Sequence, residues 1–187
     1  MIFVTVGTQL PFNRLVSAVD RWAGSRERSD LFGQIGQRAL TPRHFPSAAS
    51  LAPEVFQQKL RDAEIIVGHA GMGTILQAME HRKRAVLMPR DVRFGEHRSD
   101  HQFASARRLA DRPALAVAYT EDALHAAIDA ALAAEPLAAE APAADSGLLL
   151  AVNGFLNEAN ARSPRAATRA TRRPARRFGL GRGGATA

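Results

Sequence analysis

Short apolar runs alternate along this chain with segments in which apolar side chains recur every three or four positions. Residues 2–6 (Ile-Phe-Val-Thr-Val) predict a buried strand, and residues 12–22 a helix with Leu15, Val16 and Val19 on one face. Residues 31–35 predict a second strand, followed by a short extended piece around 43–45. A helix over 53–61 comes next, for which Pro53 suits the first turn. Three more pairs follow: strand 65–67 with helix 71–81, strand 85–88 with helix 100–110, and strand 114–118 with helix 121–133. Strands alternating with helices predict an α/β fold, a parallel sheet covered by helices on both faces. In such sheets ligands bind where strand ends meet helix starts.

The pattern stops near residue 134, and the composition changes with it. Residues 1–134 form the predicted domain, 135–146 an Ala/Pro/Glu linker, and 147–161 fit one last amphipathic helix. Residues 162–187 hold eight arginines, no acids and little apolar bulk, so disorder is expected there. This tail changes the meaning of the formal charge of +7, because without it the first 161 residues are near neutral, at −1. A fold that binds nucleic acid carries its basic patch in the structured domain, so no specific nucleic-acid partner is expected. The tail's own options are a bland solubilising extension or weak attraction to anionic lipid. Cysteine is absent, which excludes disulfides and thiolate-held metals. The apolar opening meets a Gly-Thr turn at strand length and reads as a strand, not a secretory leader. No apolar run reaches the roughly 18 residues that span a bilayer.

Three stretches carry candidate chemistry. In Ile65-Ile66-Val67-Gly68-His69-Ala70-Gly71-Met72-Gly73-Thr74 a strand runs through glycines into a helix. Glycine lets a ligand approach the backbone, and the first turn of a helix offers unpaired N–H groups and a positive dipole end. With Thr74 and His69 as added donors, the stretch reads as a diphosphate cradle; the bland alternative is a tight strand-to-helix turn. Thr74 stands where a nucleotide-hydrolysing P-loop needs lysine, and Leu76 where a dinucleotide fingerprint needs a third glycine. The second stretch is the polar loop 93–102, ending in His101 and Gln102. His97 and His101, with Glu96 and Asp100 beside them, raise metal binding as an alternative. Ser99 or Asp100 also serves as a plain helix N-cap. The third, Gly7-Thr8-Gln9 after the first strand, is weak alone and reads as a turn with two polar donors.

Together these stretches resemble glycosyltransferase family 28, C-terminal-domain type. The likeness covers about residues 1–132 and rests on residues 4–16, 69–76 and 95–102. It is nearest to small stand-alone subunits: the catalytic subunit of the dolichol-pathway N-acetylglucosamine transferase and its bacterial exopolysaccharide counterparts. The resemblance implies a Rossmann-like domain corresponding to the donor half of a GT-B enzyme, with the acceptor half on a membrane-associated partner. It implies a UDP-sugar as donor substrate, a lipid-linked glycan or polysaccharide as acceptor, no catalytic metal and no other cofactor. It further implies a cytoplasmic location, peripheral to the membrane through the partner. Residue by residue, it places the diphosphate at Gly71, Met72, Gly73 and Thr74, with His69 as the catalytic donor. The ribose goes to Gln77, where relatives commonly carry Glu, and the sugar to His101 and Gln102. Gly7, Thr8 and Gln9 correspond to the loop facing the inter-domain cleft, and Ile35 lies near the uracil.

The expected reaction is therefore sugar transfer, with protein donors stabilising the leaving diphosphate. The general base is expected on the partner chain. A non-catalytic sugar-nucleotide-binding or scaffold subunit is the competing reading, separated by measuring UDP release with and without that partner.

Overall fold

The fold was obtained as a computed structural model and describes residues 1–8, 10–97, 102–103, 106–107, 112–135 and 137. Most of the linker expected at 135–146, the expected helix at 147–161 and the Arg-rich tail lie outside the described residues.

Six parallel strands form one sheet in the order β3-β2-β1-β4-β5-β6. They are β1 (Ile2–Thr5), β2 (Leu31–Gln34), β3 (Ser47–Ala48), β4 (Ile65–His69), β5 (Arg84–Met88) and β6 (Leu115–Val117). The α-helices described from end to end are α1 (Asn13–Ser25), α2 (Pro53–Asp62), α3 (Met72–Glu80) and α4 (Glu121–Ala133), and most of the helix expected at 100–110 lies outside the described residues. Register is uniform across the centre: Val4 lies level with Gly33 on β2 and with Val67 on β4.

Successive side chains of a strand point to opposite faces, and the two cores follow from that alternation. Ile2, Val4, Ile65, Val67, Val86 and Met88 join Leu15, Val16, Val19 and Trp22 of α1 and Leu124 and Ile128 of α4. Phe3, Ile66, Ala85 and Leu87 turn the other way, onto Leu60 of α2 and Ile75 and Ala78 of α3. Both faces are thus buried, which is why these strands read as apolar runs and not as alternating patterns.

One predicted extended piece moves. Residues 43–45, expected to be extended, form bends, and the short edge strand is Ser47–Ala48. The reason is local hydrogen bonding. Asp20 Oδ1 on α1 accepts the backbone N–H groups of Arg43 and His44, each at 2.8 Å, taking the donors a strand would offer. Phe45 then drops into the core, 5% exposed, and Pro46 follows with no N–H to give.

The helix starts differ in a way that matters below. Pro53 occupies the first turn of α2, and Thr120 caps α4 by accepting from Ala123 N–H at 3.2 Å. Glu121 and Asp122 add negative charge in that first turn. α1 and α3 begin with neither a side-chain cap nor an acid in the first turn, and of these two α3, starting after Gly71, is the one whose first residues Met72, Gly73 and Thr74 line the cleft described below.

Candidate functional site

Strand order reverses between β1 and β4, since the chain winds outward from β1 through β2 to β3 and then restarts at β4. Loops leaving the carboxyl ends of β1 and β4 diverge to opposite faces there and leave a crevice. A cleft of about 680 Å³ occupies this place. Its floor comes from Thr5, Gly7 and Thr8 after β1 and from His69 to Thr74 at the β4–α3 junction. Gln34 at the end of β2 closes one side, with Leu51, Phe56 and Gln57 around α2.

His69 organises the floor. It is the last residue of β4, level with Met88, two residues further than the apolar run 65–67 predicts. Its ring lies between two glycines. A Cβ on Gly7 would stand 2.8 Å from Cε1 of the ring, and a Cβ on Gly71 2.2 Å from Nε2. Both glycines are therefore required by the imidazole as well as by any ligand, and Gly7 also has φ +77°. Nδ1 lies 3.2 Å from the Thr74 hydroxyl. Burial first, and then the Arg90 charge, push the ring's pKa down to about 4, with the Thr5 backbone opposing. His69 is consequently neutral at physiological pH and offers one N–H donor and one acceptor, not a cation.

The permanent charge belongs to Arg90, a residue the motifs did not single out. It follows β5, is 3% exposed, and reaches beneath the β1–α1 loop. Its guanidinium donates to the carbonyls of Val6 (2.8 Å), Leu10 (2.6 Å), Pro11 (2.8 Å) and Glu96 (3.2 Å). It also lies over the Phe12 ring at 4.7 Å. Glu96 does not pair with it directly, because its carboxylate is held by Arg14 at 2.8 and 2.9 Å. That carboxylate also accepts Asp91 N–H at 2.9 Å. Among the described residues, those lining the cleft include Arg90, His69 and His97 and no carboxylate. With the uncapped start of α3 beside them, the site suits an anion.

Of the sequence-derived site residues, Gly7, Thr8, His69, Gly71, Met72, Gly73, Thr74, Gln77 and Gln102 all line this one cleft. Gln102 is nearly buried, and its Oε1 accepts Arg90 N–H at 3.1 Å. Ile35 does not line the cleft. It sits in the hydrophobic core at 5% exposure, and the neighbouring residue that reaches the cleft is Gln34. Gln9 and His101 lie outside the described residues. With His101 goes half of the metal alternative; its sequence neighbour His97 lines the cleft. Beyond Arg90, sequence reading missed Gln57, which lines the same wall and is hydrogen-bonded to Gln77 and His81. Neither stands in a glycine-rich turn, so only tertiary placement reveals them.

No curated protein sequence matches the chain. Solved structures do share its fold. Against the NMR structure of ALG13 the TM-score is 0.57 at 17% identity, covering 79% of this chain and 92% of that one. For MurG of Acinetobacter baumannii the TM-score is 0.51 at 22% identity, covering 68% of this chain and 40% of that one. For UDP-GlcNAc 2-epimerase of Methanocaldococcus jannaschii, solved with UDP-GlcNAc and UDP, it is 0.56 at 10% identity, covering 84% and 45%. This chain thus spans less than half the length of the last two proteins. At these identities the likeness establishes a shared fold, that of the C-terminal half of GT-B glycosyltransferases. The family model described as glycosyltransferase family 28 C-terminal domain matches residues 1–154, and the chain belongs to that family.

Proposed function

We propose that this chain binds a UDP-sugar as the donor half of a glycosyltransferase. It passes the sugar to a lipid-linked or polysaccharide acceptor held by a membrane-associated partner subunit. The observation that carries the reading is the start of α3. Its N–H groups have no side-chain cap and open into a cleft whose described lining includes the Arg90 guanidinium and no carboxylate. A diphosphate supplies what that helix end lacks.

In this reading the α3 amides, the His69 ring N–H and the Thr74 hydroxyl bind the two phosphates. They stabilise the charge that grows on the diphosphate as the sugar leaves, without a metal. Each such donor contributes roughly 3 kcal/mol in the transition state. Arg90 adds a fixed positive field from beneath the loop. Gln77 faces the ribose, Gln102 and His101 the sugar, and Thr8 and Gln9 the acceptor side. The base that deprotonates the acceptor belongs to the partner subunit.

Gly73 gives the sharpest test. A Cβ there meets nothing within 4 Å, so Gly73→Ala leaves the folded domain untouched and intrudes only on the space assigned to phosphate. Calorimetry with UDP and UDP-sugars should show binding to the wild type and at least about tenfold loss in Gly73→Ala, at a melting temperature no lower than the wild type's. His69→Ala should likewise cut sugar transfer with the partner present. Wild-type affinity in Gly73→Ala would remove the diphosphate from this helix start. The described lining holds no carboxylate to serve as a base, which favours a second reading, a donor-binding subunit without catalysis. UDP release on adding partner and acceptor decides between the two.

A further inference from the structure

Gln77 does not meet the cleft alone. Gln57, one helix away on α2, lines the same wall, and its Nε2 donates to Gln77 Oε1 at 2.9 Å. The Oε1 of Gln57 is in turn 2.8 Å from His81 Nε2, in the residue that ends α3. The Gln77 amide nitrogen points to Glu80 Oε2 at 3.4 Å.

An amide side chain has nearly the same shape in its two flipped forms, and its hydrogen-bond partners decide which one stands. When His81 Nε2 carries the proton, it donates to Gln57 Oε1. Gln57 then turns its NH₂ to Gln77, and Gln77 must present its oxygen to Gln57. That oxygen keeps a second lone pair, and Gln57 keeps a second N–H. Together the pair offers one acceptor and one donor, side by side on the cleft wall. Two adjacent hydroxyls, one donating and one accepting, complete that pattern; a single hydroxyl completes only half of it.

We propose that Gln57 is a specificity-determining residue, held by His81, which with Gln77 reads the vicinal hydroxyls of a ribonucleotide. This rests on the nucleotide reading of the cleft given above. A lone glutamine is a poorer partner than a carboxylate for two hydroxyls, and Gln57 supplies the missing group from α2.

The test uses the full-length chain titrated calorimetrically with UDP and with 2′-deoxy-UDP. Wild type is expected to prefer UDP by roughly tenfold, the scale of one buried hydrogen bond. Two variants remove the donor: Gln57→Ala, and Gln57→Met, which keeps the length of the side chain and offers neither an N–H nor a carboxylate. Both should weaken UDP and leave 2′-deoxy-UDP within about twofold, so that the preference collapses. A merely structural role would weaken both nucleotides equally. Equal weakening, an unchanged preference in Gln57→Met, or a wild type that binds UDP without preferring it would each overturn the proposal and spare the nucleotide site. A wild type that binds neither nucleotide would overturn the site itself and this reading with it.

Discussion

At the residue scale the His69 ring sets a pH signature. Its folded pKa, near 4, lies below its ordinary value of 6.5, so between these values the unfolded chain binds a proton that the folded chain refuses. The stability this ring contributes is complete above pH 6.5 and is lost as pH falls toward 4. At pH 4.5 the loss is about 2–3 kcal/mol relative to pH 7. The carboxylates held low by arginine partners, Asp30, Asp91, Glu121 and Asp129, lose their contribution only below their ordinary values near 4. The two windows are therefore separable. Urea unfolding at pH 7 and 4.5 should show this drop in the wild type and little of it in His69→Gln; an equal drop in both would show that His69 is not the group responsible. The glycine–histidine turn was legible in the sequence because every feature of it is local: a strand, two glycines, a helix start. Gln57 and Arg90 were not, since their roles are defined by partners 20 and about 80 positions away.

At the scale of elements, α1 and α4 are joined across one sheet face by Asp129, which accepts from Trp22 Nε1 at 2.9 Å and from Arg26 at 2.7 Å. These two bonds differ in worth. Trp22 is 1% exposed, so its N–H has no water to turn to, whereas Arg26 is half in solvent. Asp129→Ala should cost about 1–3 kcal/mol by orphaning the indole donor. Asp129→Asn keeps an acceptor for Trp22, forfeits only an exposed ion pair, and should cost under about 1 kcal/mol. Equal losses in denaturant melts would mean that the ion pair, not the buried donor, holds the helices. Periodicity predicted both helices because each buries a continuous apolar stripe. It misplaced β3, where two residues suffice to pair with the sheet edge and Asp20, far off in sequence, decides which backbone donors are taken. Strands this short leave no periodic trace.

On the scale of the whole molecule, the cleft exists because the sheet reverses its winding between β1 and β4, and Arg90 joins the segments that meet there. Its guanidinium is bonded to carbonyls of the β1–α1 loop and of Glu96, and its backbone N–H to Gln102. Burial alone disfavours that charge, pulling the Arg90 pKa down, with Glu96 opposing. The fold therefore keeps a cation at some cost beside a site suited to anions. Arg90 has two separable roles, a mechanical one through its hydrogen bonds and an electrostatic one through its charge on His69. Arg90→Met removes both. It should destabilise the domain by at least about 3 kcal/mol, since several carbonyls lose a charged donor together, and should raise the His69 pKa. Arg90→Lys keeps the charge and loses the planar fork, so it should still destabilise while His69 continues to titrate near its wild-type position. Ring-proton titration of His69 by NMR, alongside urea melts of both variants, reads the two effects independently. A His69 titration that moves equally in Arg90→Lys and Arg90→Met would mean that loop packing, and not the Arg90 charge, adds to the effect of burial on this imidazole at the floor of the cleft.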